Sequence, residues 1–296
     1  MHPLDRADLY VGLTGIDVPT GSIELGEGLD LTSTHAKFLT PLTLVNTSMS
    51  PTDAPARIRP AYWQSATRER VITAQLFVPK SLADSFETRF ELARFVVLVL
   101  RLWSDPGIGL HVLSSHRFEK LCDLPDSDRP ILLPVETQPR YFALGTVDPQ
   151  SVVPSLSWVQ ENWRTAYSLY SSSSEFRLAA DSLDSGQFIP NNALILLALW
   201  GSLEALFSPS TTELKFRVSA LIAAYLEPLG ANRLALQKRV AGLYDMRSAA
   251  AHGRNRHEPE HLLQTFELLR SVIIRMIYNK SVPSKEFLEL KLFGVE

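Results

Sequence analysis

The chain has 296 residues, of which 45% are hydrophobic and 21% charged, with a formal net charge of −3 and a pI of about 6.2. That balance is globular and sufficient for one large domain or two ordinary ones, and it excludes a whole-protein basic field that would draw the chain onto nucleic acid without specificity. A single cysteine, Cys122, excludes an internal disulfide and a multi-cysteine zinc site, and is expected as a packed core thiol.

Met1 to Asp8 carries charge but no apolar core, so neither a signal peptide nor a lipidation motif is read there. From Leu9 to about Tyr141 short apolar runs alternate with Gly, Pro, Asp and Ser. Arg70 to Val78 and Ile108 to Leu113 read as strands. Between them Phe86, Phe90, Ala93, Val97 and Leu100 recur near helical spacing within Ser85 to Trp103. An α+β domain over residues 1–150 is therefore expected. Pro51, Pro55 and Pro60 mark residues 46–60 as an exposed loop. A domain boundary is placed near Val147 to Pro154.

Beyond it, Ser155 to Ser182 is helix-compatible but interrupted by four serines at 171–174, where a bend or fraying is expected. Asn191 or Asn192 can cap the next helix, Ala193 to Phe207, which is apolar on every face and must sit centrally. That stretch is too short to cross a bilayer and contains Glu204, so no membrane segment is expected and a cytoplasmic protein is the default. Ser210 and Glu213 form a capping-box pattern for a helix over Thr211 to Leu226, which Pro228 and Gly230 stop. Two more helices are predicted over Asn232 to Ala251 and Pro259 to Tyr278, with Gly253 after the first. Residues 151–296 thus read as an all-α bundle.

The helix from Asn232 carries Leu236, Val240 and Leu243 on one stripe, and the next step along it is Arg247. A cation on an apolar stripe must snorkel to solvent or meet an acceptor, and Glu204 is the one ionisable group of the central helix. An arginine held by a carboxylate suits phosphate recognition, although a purely structural ion pair has the same signature. Five residues on stands His252, a side chain suited to proton transfer near neutral pH. Five helical steps of about 100° leave the two roughly 140° apart, so a joint site calls for two copies meeting across a twofold axis. From Arg233 to His257 six cations (Arg233, Lys238, Arg239, Arg247, Arg254, Arg256) face one acid, Asp245. Such a segment is a local footprint for RNA, and equally that of a solvated helix face.

Tyr244-Asp-Met-Arg247-Ser248-Ala-Ala-Ala-His252-Gly253 resembles the Arg-x4-His motif of the HEPN superfamily, including the polar residue after the arginine. Leu199-Trp-Gly-Ser-Leu-Glu204-Ala-Leu-Phe-Ser-Pro, continued by Ser210-Thr-Thr-Glu-Leu-Lys-Phe-Arg217, is similar to the central helix region of its Apea-like branch. The resemblance covers roughly residues 155–280, and Ile23 to Leu29 is distantly similar to N-terminal regions found with that branch. It implies an HEPN-like bundle after an N-terminal α+β domain, and a metal- and cofactor-independent endoribonuclease acting as a homodimer. RNA, with tRNA a frequent target, would be the substrate, in bacterial toxin or anti-phage systems that include partner proteins. By resemblance Arg247, His252, Glu204 and Ser248 are the catalytic set. The RNA contacts expected from the basic segment are Lys238, Arg239, Arg254, Arg256 and His257. HEPN toxins modified on a tyrosine two places after the histidine differ here, because this chain has Arg254, so that regulation is not expected. A non-catalytic RNA- or protein-binding module, or a dimerising scaffold, is the alternative on the same residues. His111 with His116, in an expected strand region, reads as structural rather than as a metal pair, and His257 with His261 shows no third ligand in sequence.

Overall fold

A computed structural model describes residues 2–38, 42–47, 59–65, 70–125, 127–141, 152–207, 214–251 and 259–295. In chain order the elements are β1 (Leu9–Thr14), β2 (Ser22–Gly26), β3 (Leu29–Phe38), β4 (Leu42–Thr47), β5 (Arg59–Ser65), β6 (Arg70–Val78), α1 (Phe86–Trp103), β7 (Gly109–Ser114) and β8 (Leu132–Pro134). The helices α2 (Val152–Ser172), α3 (Ser174–Gly186), α4 (Asn192–Phe207), α5 (Leu214–Leu226), α6 (Ala231–Ala251), α7 (Pro259–Asn279) and α8 (Lys285–Leu292) follow. The chain is thus mixed α+β and divides into two compact units, residues 1–97 with 108–138 and residues 98–107 with 139–296. No described helix is long and apolar enough to cross a membrane.

The first unit is built on a six-stranded antiparallel sheet of order β2-β3-β6-β1-β7-β8. Alternation explains its core: Leu9, Val11 and Leu13 on β1 and Ala74, Leu76 and Val78 on β6 are buried at every second position. β2 and β3 form a hairpin closed by Glu27 and Gly28, both at positive φ (55° and 78°), the left-handed conformation a two-residue loop needs. Gly12 sits where a methyl group would lie 2.6 Å from Ile72 Cδ1, 2.8 Å from Val112 Cγ1 and 2.9 Å from Phe118 Cζ. Gly12→Ala is therefore expected to overpack this sheet and cost about 1–3 kcal/mol, read from the denaturation midpoint; an unchanged midpoint would mean these neighbours yield freely. Arg89 is fully buried and ties the N-terminal segment down through the carbonyls of Leu4 (2.7 Å) and Ala7 (2.6 Å).

Two expectations for this unit need correction. Cys122 is exposed rather than packed, because the short 3-10 turn Phe118–Asp123 turns Phe118 inward instead. Asn46–Thr47 and Arg59–Pro60, expected in a loop, are paired ends of the β4–β5 ladder; residues 48–58 lie outside the described residues. The expected boundary at 147–154 lies partly outside them too.

The second unit is helical. Its first expected helix breaks at Ser173, whose hydroxyl accepts the Phe176 N–H and caps α3. Asn191 caps α4 by accepting from Ala193 N (2.9 Å) and Leu194 N (3.3 Å). α4 is apolar throughout because it packs against α3, α5, α6 and α7 together; Ile195, Leu196, Leu199, Trp200 and Leu203 are completely buried. The end of α1 belongs with this unit for a physical reason: Trp103 stacks on Trp158 at 4.2 Å, Arg101 pairs with Asp184 at 2.7 Å, and Arg270 Nε donates to the Leu102 carbonyl. α8, which was not expected, is capped by Ser284 and buries only Leu288.

Candidate active site

The site begins with the α6 stripe, where Leu236, Val240 and Leu243 are buried against the bundle and Arg247 follows at its C-terminal end. The guanidinium meets the acceptor that its position demands. Arg247 Nη2 lies 3.1 Å from Glu204 Oε1 and 3.3 Å from Oε2, with the two side chains 26% and 18% exposed. The pair is half-buried and open on one side, a geometry in which the ion pair is weakly screened while the cation stays reachable. Arg247 Nε is buried and makes no hydrogen bond among the described residues.

Tyr244 completes the arrangement and was not singled out from the sequence. Its hydroxyl donates to Glu204 Oε1 at 3.0 Å, and its ring lies 5.4 Å from the Arg247 guanidinium carbon. Burial holds its phenol above the usual tyrosine range, reinforced by the hydrogen bond to Glu204 and that residue's charge, against the opposing Arg247 charge. Trp200 packs edge-on against the same ring at 5.0 Å. The available signal was spacing: Tyr244 precedes Arg247 by three and Trp200 precedes Glu204 by four, so each pair shares a helix face.

The other expected site residues divide sharply. Ser248 follows Arg247 on α6 and is half-buried. Lys238 and Arg239 are exposed on α6, eight or nine residues before Arg247 and so about 12–14 Å away along the axis. Nine steps of about 100° put Lys238 on the opposite helix face. Arg239 opens instead onto a groove of about 1170 Å³ between α6 and α7, whose rim includes Glu260 and Glu267. His252, Gly253, Arg254, Arg256 and His257 lie outside the described residues, as do Ser210 and Glu213. Asp245, the one acid of the basic segment, pairs with Lys215 of α5 at 2.6 Å, which offsets its charge.

Among the described residues no three His, Cys, Asp or Glu side chains gather as metal ligands. His111 faces Arg70 Nη1, and His116 bonds Ser115 and Asp128. In comparisons with known proteins, no family model, no curated protein and no solved structure matches the chain.

Proposed function

We propose that the helical unit is an HEPN-type, metal-independent endoribonuclease that acts as a homodimer on RNA, tRNA being the first candidate. The observation that carries this is the half-buried Arg247 held by Glu204 at 3.1 Å, five residues before His252 in a locally basic segment. A guanidinium fixed by a carboxylate is suited to a phosphoryl group, because its remaining N–H groups are oriented before the anion arrives. In the reaction the ribose 2′-hydroxyl attacks the adjacent phosphorus, the bond from phosphorus to the 5′-oxygen breaks, and the products are a 2′,3′-cyclic phosphate and a 5′-hydroxyl. His252 moves the proton at the attacking or leaving oxygen, and Arg247 stabilises the charge that builds on the phosphoryl oxygens. Glu204 orients Arg247, and Ser248 hydrogen-bonds phosphate. Arg254, Arg256 and His257 hold the flanking backbone. The wider proposal is a cytoplasmic protein of a bacterial toxin or anti-phage system, with the α+β unit sensing a trigger or selecting RNA.

Purified protein incubated with total tRNA in excess EDTA is expected to give fragments ending in 2′,3′-cyclic phosphate. RNA left intact, or cleavage that needs a divalent ion, contradicts the proposal. A non-catalytic binding module on the same residues is the second reading, favoured by the already satisfied Glu204 pair. It requires RNA retention without cleavage, unaffected by His252→Ala.

A further inference from the structure

Four side chains from two helices form a connected set: Trp200 and Glu204 on α4, Tyr244 and Arg247 on α6. Tyr244 is the one member that touches the other three: it donates to Glu204, lies against the guanidinium and receives the edge of Trp200. Arg247 reaches Glu204 through Nη2 alone, spanning both carboxylate oxygens, rather than through a two-nitrogen fork. A single-nitrogen contact leaves the carboxylate free to turn unless a second donor fixes it. Tyr244 is that donor, set by its spacing of three residues from Arg247 and clamped by a tryptophan from the opposite helix.

We propose that Tyr244 is the positioning residue of this site: by anchoring Glu204 Oε1 it limits the carboxylate to Arg247 Nη2 and leaves Nη1 to a phosphoryl oxygen. Its consequence for cleavage rests on the ribonuclease assignment, whereas its geometry does not. Tyr244 itself touches no substrate and carries no proton in the reaction. Because its phenol is held above the usual tyrosine range, it remains a donor throughout the neutral region.

The test uses the full chain. Tyr244→Phe keeps the ring and removes the hydroxyl, and it is expected to lower kcat about tenfold with little change in KM, the loss of one hydrogen bond to a charged group. In a Glu204→Gln background the same change is expected to cost nothing further. Nitrogen-15 spectra of the arginine guanidinium groups give a readout independent of activity: separate Arg247 Nη signals in the wild type should merge in Tyr244→Phe. Unchanged Arg247 signals, or an equal loss of kcat in both backgrounds, overturn the proposal. Wild-type protein that leaves RNA intact would end the ribonuclease assignment, while the spectra still decide the role of Tyr244. Should Tyr244→Phe fail to fold, absorbance titration of Tyr244 in Glu204→Gln decides instead, with a lowered midpoint expected and an unchanged one overturning the anchor.

Discussion

Arg247→Ala is expected to lower RNA cleavage roughly a hundred- to a thousandfold, the loss that follows removal of one oriented donor to a developing oxyanion. His252→Ala is expected to lower it by about two to four orders of magnitude, the usual range for a positioned proton-transfer group. Both residues serve one bond-breaking event, so the double variant should be little worse than the more damaged single one. The fold should survive Arg247→Ala, because Tyr244 still donates to Glu204 and the arginine side chain is already 26% exposed. Initial rates on end-labelled tRNA in EDTA, with thermal unfolding of each variant, provide the check. Cleavage by either alanine variant at the wild-type rate would remove these two residues from the chemistry.

Asp184→Ala is expected to cost about 1–3 kcal/mol of stability, because it removes the carboxylate to which the buried Arg101 guanidinium donates. Arg101 is 6% exposed and Asp184 12%, with 2.7 Å between them. An exposed pair such as Lys215 with Asp245 would by contrast cost no more than about 1 kcal/mol. Replacing both partners, as Arg101→Met with Asp184→Ala, should recover part of the loss because the buried guanidinium is removed together with its carboxylate. Urea unfolding of the single and double variants measures this. A single-variant loss below about 1 kcal/mol would show that the pair does not hold the end of α1 in the helical unit.

Long elements with strong periodicity were legible before any coordinates. β6 begins and ends at Arg70 and Val78 as its β-branched run indicates, and α4 is central because a helix apolar on all sides has no other place. The serine run shows why the break between α2 and α3 could be anticipated: serine hydroxyls compete for backbone N–H groups, and Ser173 does so. Less legible was anything decided by tertiary partners. Leu98 to Trp103 continues the pattern of α1 without a seam, yet Trp103, Arg101 and Leu102 find their partners in the helical unit. α8 is eight residues long with one buried side chain, too weak a period to stand out from its surroundings. At the site, the Arg247–Glu204 pair followed from a cation on an apolar stripe facing a helix with one acid. Tyr244 did not, since an aromatic at that spacing is equally a core residue until its hydroxyl is seen on Glu204.

The central claim is that two copies build one cleavage site, and subunit complementation tests it directly. Arg247→Ala protein and His252→Ala protein, each inactive alone, are mixed, exchanged and assayed on tRNA in EDTA. A shared site across a twofold axis predicts that the mixed dimer, holding one intact arginine and one intact histidine, regains at least about tenfold over either parent. A mixture that exchanges subunits and remains as inactive as its parents would contradict it.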